Sequence, residues 1–150
     1  LRGIYEKAAL HEEKIRVLWA LGNFRNQELL AEFLGLTFSG KIRPQDAPLV
    51  MMASAQHPIG RSLAWQFTKE NWGALTARYD GGGIGLLTRI LEITSDFTTR
   101  EELEDVDLFF HAHKVPGTER TMAQCVERIR SNIAWLERDR EDIRHWLNAQ

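Results

Sequence analysis

The stretch that most constrains the fold is RSLAWQFTKENWGALTARY, residues Arg61–Tyr79, which contains no proline and a single glycine. Its large apolar residues recur at intervals of three to five: Leu63, Phe67, Trp72, Leu75 and Tyr79. This spacing places them on one face of an α-helix, and Trp65 makes that face wide. A helix with so wide an apolar face packs against neighbours on more than one side. The stretch therefore predicts a buried helix within a multi-helix fold.

The rest of the chain repeats this kind of pattern. Apolar residues recur at helical spacing between glycine and proline breaks, and no segment shows the period-two alternation of a half-buried strand. The sequence therefore predicts an all-α fold with about eight helices joined by short connectors. Helices connected in this way tend to pack antiparallel, which favours a HEAT-like or armadillo-like α-solenoid.

Three local predictions follow from helix start and stop signals. Two short helices fill the first 21 residues, with a turn near Leu10–His11. Thr98 and Glu101 have the spacing of a capping box, so Thr98 is predicted as the N-cap of the helix that follows. The last segment carries an apolar face from Met122 onward, and its length predicts a kink near Glu137–Asp139.

Composition excludes several classes of protein. The chain has 150 residues, the size of a single domain, and its net charge of −2 is far from the basic balance of a nucleic-acid-binding protein. No apolar run approaches the roughly 18 residues that a membrane span requires. Cys125 is the only cysteine and there is no Asn-x-Ser/Thr sequon, so the cytoplasm is the expected compartment.

No catalytic motif is complete in the sequence. His11 begins a stretch like the zinc-binding His-Glu-x-x-His helix, but Ile15 stands where the second histidine is required. The glycines at 81–83 follow a predicted helix and match neither phosphate-binding pattern. His111 and His113 are two residues apart, a spacing that points them in different directions on a helix. We therefore expect no catalytic residue, metal site or cofactor in these 150 residues.

Three basic residues are candidates for contact with a substrate. Lys41, Arg43 and Arg89 lie at or near predicted connectors, where a long cationic side chain can reach the carboxylate of a peptide. Each also has a purely structural interpretation, with Arg43 bonded to helix carbonyl groups and Arg89 paired with Glu92 on its own helix.

Several specific runs carry a resemblance to a known family. They are Lys41-Ile42-Arg43-Pro44-Gln45-Asp46, Gly60-Arg61 followed by Ala64-Trp65 and Phe67, Lys69-Glu70-Asn71-Trp72, Phe109-Phe110, Glu119-Arg120-Thr121, and Asn132 followed by Ala134-Trp135-Leu136-Glu137-Arg138-Asp139. Together they resemble the C-terminal helical domain of the gluzincin aminopeptidases, over residues from about 14 to 147 in the same order. The puromycin-sensitive branch is the most similar, beside the endoplasmic-reticulum and oxytocinase-type enzymes.

The resemblance implies a non-catalytic role for these 150 residues. In this family catalysis depends on Gly-Ala-Met-Glu-Asn and on zinc held by His-Glu-x-x-His, and neither motif occurs in these 150 residues. The family's C-terminal domain is a bowl of HEAT-like helix pairs that closes over the zinc site and helps to hold the far end of the peptide. We therefore expect residues 1–150 to be a single helical domain, the C-terminal part of a larger aminopeptidase whose catalytic domain binds the zinc.

The partners implied by this resemblance are a peptide substrate and the catalytic domain of the same chain. It also makes the lumen of the endoplasmic reticulum the alternative compartment to the cytoplasm. A second class of function stays open on the residues alone, namely a free-standing helical adaptor that binds a peptide or a partner helix, because a helical architecture does not dictate a function.

Overall fold

The computed structural model describes residues 2–149, which form nine α-helices and contain no strand. The α-helices are α1 (Arg2–Lys7), α2 (His11–Gly22), α3 (Gln27–Gly35), α4 (Ala47–Ser54), α5 (Pro58–Glu70), α6 (Trp72–Tyr79), α7 (Ile84–Leu91), α8 (Arg100–Ala112) and α9 (Glu119–Asn148). Short 3-10 helices occupy Leu36–Phe38, Pro44–Asp46 and Glu92–Asp96. The all-α prediction is confirmed, with one helix more than expected. The solenoid arrangement stays a prediction.

The chain forms two compact units, one ending at Ile93 and the other beginning at Thr94. In the first unit the most enclosed element is α4, in which six of eight residues are buried. Helices α2, α3, α5 and α7 pack around it. Val50 and Met51 of α4 are fully buried, as are Leu30 of α3 and Ile90 of α7. The first unit is therefore organised around α4 and not around the longer stretch that the sequence favours.

Close packing of α2 against α4 depends on a glycine. Gly22 is buried at the end of α2, and a side chain at that position would collide with the backbone of Ala53 in α4. The packing of these two helices is the most extensive in the first unit. Since the obstructing atoms belong to the backbone, neither helix can accommodate an added methyl group without moving.

The predicted helix over Arg61–Tyr79 is two helices in the structure, so its boundaries were wrong. The break falls at Asn71, whose φ of −110° and ψ of 18° are not helical. The Asn71 side-chain amide donates to the carbonyl of Phe67 at 2.9 Å, and its backbone N–H donates to carbonyl groups in the last turn of α5. Asparagine competes for backbone hydrogen bonds in this way, which ends α5 and lets α6 begin at Trp72.

In the second unit α8 packs against the first half of α9. The buried side of α9 consists of Met122, Cys125, Val126, Ile129 and Ile133. Asn132 fixes the segment that precedes α8, because its side-chain amide donates to the carbonyl groups of Ser95 at 2.8 Å and Phe97 at 3.1 Å.

Two local predictions in this unit were wrong and one in the first unit is confirmed. The capping box of α8 uses Thr99 and Glu102, one residue later than predicted, because Thr99 has the extended backbone that an N-cap needs. Helix α9 runs unbroken through the predicted kink near residue 138. The turn near Leu10–His11 does separate α1 from α2.

Candidate functional site

Arg43 lies in a polar cluster at the start of the Pro44–Asp46 turn. Its Nε donates to a carboxylate oxygen of Asp46 at 2.8 Å, and its Nη2 lies 2.7 Å from both ring nitrogens of His11 on α2. The Asp46 side chain is only 10% exposed, so its charge requires a fixed cationic partner. Arg43 supplies that partner, and the interpretation of Arg43 as a cap for helix carbonyl groups was wrong.

The pKa of Tyr5 on α1 is affected by the charges of the same cluster. Burial raises the pKa of its phenol above the ordinary value, the Asp46 carboxylate raises it further, and Arg43 acts in the opposite direction. The phenol is therefore neutral at physiological pH, and it neither adds negative charge to the cluster nor competes with Asp46 for Arg43.

The side chains of Lys41 and Arg89 are more available than that of Arg43 for contact with a substrate carboxylate. Lys41 Nζ lies 3.4 Å from the carboxylate of Glu6, and both side chains are about half exposed, so the pair is weak and easily exchanged. Arg89 is exposed near the end of α7, and its side chain forms no hydrogen bond or ion pair within residues 2–149, including the suggested pair with Glu92. Lys41 and Arg43 share one connector and face α1 and α2, whereas Arg89 belongs to a different helix. The structure shows no contact that joins Arg89 to them.

A groove in the second unit was missed by sequence reasoning. It has a cavity volume of about 510 Å³ between α8 and α9, and Phe110, Met122 and Val126 supply its apolar lining. Lys114 and Arg130 stand at its rim, and neither has an ion pair in the part of the chain that the structure describes.

Acidic and imidazole side chains line the same groove. His111 Nδ1 lies 2.8 Å from the Asp107 carbonyl oxygen and 3.7 Å from its carboxylate, while Glu119 accepts from the backbone N–H of Gly117 at 2.8 Å. The groove therefore carries the carboxylates of Asp107 and Glu119 as well as its two basic side chains. The groove forms because the chain reverses at Gly117, whose φ is 88°, and helix periodicity alone does not show which residues such a reversal brings together.

His57 and His113 have structural partners. His57 caps α5, since its Nδ1 accepts from the Gly60 N–H at 3.2 Å and its Nε2 donates to the carbonyl of Phe24 at 2.9 Å. His113 stacks on Phe109 at 4.1 Å between ring centroids. Among the described residues no three His, Cys, Asp or Glu side chains are grouped so that they could hold a metal ion. No described helix is long and apolar enough to cross a membrane.

Comparison with known proteins identifies the family. The profile of the family described as "ERAP1-like C-terminal domain" matches residues 1–131. This chain therefore belongs to that family of helical C-terminal domains.

Individual relatives are aminopeptidases by name. The chain is 36% identical to endoplasmic reticulum aminopeptidase 2 of Bos taurus over 145 residues, which are 95% of this chain and 15% of that protein. It is 32% identical to endoplasmic reticulum aminopeptidase 1 of Homo sapiens over 97% of this chain and 16% of that protein. Aminopeptidase 2, mitochondrial, of Saccharomyces cerevisiae is 30% identical over 96% of this chain and 15% of its own length. The chain thus spans about one sixth of the length of these relatives.

Proposed function

We propose that this chain is the non-catalytic C-terminal segment of a zinc-dependent aminopeptidase, which removes N-terminal residues from peptides. The observation that carries the proposal is the family match over residues 1–131, together with the aminopeptidase names of the relatives. The described residues do not fit a zinc site, because they offer no suitable group of ligands. In this proposal the metal and its chemistry belong to the remainder of the chain.

The role proposed for the segment itself is to enclose the substrate chamber and to contact the far end of the peptide. Arg89 is the better carboxylate contact of the three basic candidates, because its exposed guanidinium has no partner among residues 2–149. Lys41 is the next candidate, since only an exposed ion pair must be exchanged. Arg43 is the weakest, because moving it would leave the nearly buried Asp46 carboxylate without its cation.

The enclosing role is tested by deleting this segment from the full-length enzyme. Turnover of a single-residue amide, which reaches only the reacting centre, should change less than turnover of long peptides. Binding energy from remote parts of a substrate can raise the rate at the reacting centre, and the deletion removes that contribution. An identical loss for the amide and for peptides of every length would contradict the enclosing role.

The contact role is tested by charge reversal in the same full-length enzyme. Arg89→Glu should lower kcat/KM for free-carboxylate peptides by up to about tenfold, which corresponds to 1.4 kcal/mol for one charge-assisted contact. Carboxy-amidated peptides should lose less. Arg25→Glu is the matched control, since Arg25 is another exposed arginine of the first unit. Equal losses for both peptide classes would show that Arg89 does not bind the carboxylate.

The compartment and the adaptor alternative stay predictions. The names of the relatives place some in the endoplasmic reticulum and one in mitochondria, so they do not decide between the cytoplasm and the lumen for this chain.

A free-standing adaptor would fold and bind a peptide without any longer chain. Expression of the natural reading frame and a mass measurement of its product distinguish the two classes.

A further inference from the structure

The second half of α9 lacks the packing that supports the first half. Helix α9 has 30 residues and is about 45 Å long, whereas the 13-residue α8 that packs on it is about 20 Å long. We call residues 119–133 proximal α9 and residues 134–148 distal α9. Proximal α9 contains five buried residues, and distal α9 contains none.

Distal α9 nevertheless carries a large apolar surface. The exposed fractions are 50% for Trp135, 42% for Ile143, 62% for Trp146 and 60% for Leu147. On a helix these four side chains fall within a sector of about 120°, which is the width of a face that packs on other protein. Exposed apolar patches of this kind mark interaction sites.

The surface continues into a crevice at its proximal end. Ile133 and Leu136 line this crevice together with residues at the start of α8, and its volume is about 590 Å³. Arg100 and Glu137 bridge it with a hydrogen bond of 2.7 Å. A segment of roughly 15 residues is marginal as an isolated helix in water, and it gains most of its stability from packing of its apolar face. Distal α9 continues the packed proximal half without a break, but its own apolar face has no such packing, and a covering surface would stabilise it.

A second copy of this chain fits the surface poorly. Asp139 and Asp142 lie between Trp135 and Trp146 along the helix, and on the helical wheel all four residues fall within a sector of about 60°. In an antiparallel pair that stacks Trp135 on Trp146 of the second copy, Asp139 of each helix faces Asp142 of the other. A parallel pair brings each aspartate against its own equivalent. Both arrangements place like charges in the seam, which is unfavourable.

The acidic and aromatic character of the face instead fits an apolar surface that carries lysine or arginine. Asp139 is held ionised by the adjacent Arg138, whose guanidinium hydrogen bonds at 2.7 and 2.8 Å lower the pKa of that carboxyl below its ordinary value. A basic residue on the covering surface would find both aspartates within its reach.

Similarity to the longer relatives indicates where such a surface resides. The family match ends at residue 131, yet the alignment with endoplasmic reticulum aminopeptidase 1 of Homo sapiens covers 97% of this chain. Distal α9 thus belongs to the part shared with proteins about six times longer. A surface on the same polypeptide has a high effective concentration, so it is favoured over a separate molecule.

We propose that distal α9 is the docking surface for the remainder of the same aminopeptidase chain, through an apolar area bearing at least one lysine or arginine. This inference rests on the proposed function. Trp135, Trp146 and Leu147 supply the apolar contact, and Asp139 and Asp142 supply its charge complement.

The experiment is hydrogen exchange in the full-length chain, with Trp146→Glu and Trp146→Phe as variants. In the wild type and in Trp146→Phe the amides of distal α9 should be protected. Trp146→Glu should accelerate their exchange by at least about tenfold while leaving proximal α9 unchanged, because opening is then local. The control is Leu108→Glu on α8, where Leu108 is 72% exposed and lies outside the proposed surface. It should leave distal α9 unchanged.

Two results would overturn the proposal. Distal α9 amides that exchange equally fast in the wild type and in Trp146→Glu would show that nothing covers the surface. Protection that depends on protein concentration would identify a second copy as the occupant. Peptidase activity is measured in the same samples. If distal α9 is protected but the enzyme has no peptidase activity, only the proposed function is refuted. If the enzyme is active but distal α9 is not protected, only the docking surface is refuted.

Discussion

Helix α4 and distal α9 differ in how much of their apolar surface is buried. Six of the eight residues of α4 are buried by neighbours within its own unit. Distal α9 carries two tryptophans and two aliphatic side chains in the open, and none of its residues is buried. The difference indicates that the core of the first unit depends on α4, whereas distal α9 contributes no buried residue to the second unit and is proposed above to contact the remainder of a longer chain.

The largest expected effect concerns the close contact that encloses α4. Gly22→Ala should lower the free energy of unfolding by about 3 kcal/mol, because its methyl group meets the backbone of Ala53. Gly73→Ala is the matched control on α6, where a methyl group meets nothing within 4 Å. That variant should be neutral or slightly stabilising. Urea unfolding of both variants measures the difference, and equal stabilities would contradict the packing argument.

A direct comparison of the two helices comes next in size. Met51→Ala removes a fully buried side chain from α4 and should cost about 2–3 kcal/mol. Trp146→Ala in the 150-residue chain should change stability by less than about 0.5 kcal/mol, because the ring is already in water. Thermal unfolding of both variants tests the comparison. A large loss from Trp146→Ala in this short chain would show that distal α9 packs within its own unit.

A smaller effect tests the cap of α8, the helix that packs on proximal α9. Thr99→Ala should cost about 1 kcal/mol, since its hydroxyl accepts from the Glu102 N–H at 3.2 Å. Thr98→Ala should cost little, because only the backbone N–H of Thr98 bonds to Glu102. Chemical denaturation distinguishes the structure's N-cap from the one that the sequence predicted, and the reverse order of effects would favour Thr98.

The smallest expected effect is a shift in the titration of Asp139. Arg138 depresses the folded-state pKa of this carboxyl, chiefly through the side-chain hydrogen bond. The stabilising contribution is therefore complete above the ordinary carboxyl pKa of about 3.9 and is lost as the pH falls below it. Carboxyl NMR should show a higher titration midpoint for Asp139 in Arg138→Ala than in the wild type. An unchanged midpoint would show that the ion pair is absent in solution.

The sequence predicted the kind of element better than its boundaries. Apolar periodicity identified α5 and α6 as helical but joined them, because Asn71 fits the periodicity while its amide bonds to the Phe67 carbonyl. It placed the α8 cap at Thr98 because Thr98 and Thr99 have equivalent side chains, and only backbone geometry decides between them. It predicted a kink in α9 from length alone, although residues 119–148 lack proline and glycine.

The candidate site was predicted only in part. Basic residue type and position near a connector selected Lys41, Arg43 and Arg89. The pairing of Arg43 with His11, however, joins residues 32 positions apart in sequence. Lys114 and Arg130 were missed for the same reason. The groove beside them exists only after α8 and α9 pack against each other.

By itself the sequence determined that this chain is all-helical and that it resembles the aminopeptidase C-terminal domains. Helical periodicity is a local property, and the resemblance is carried by residue identities, so both can be read without coordinates. Only the tertiary structure decided that α4 is enclosed, that Arg43 pairs with His11 of α2, and that distal α9 lies open. Burial and charge pairing depend on which surfaces meet, and those surfaces come from residues far apart in the chain.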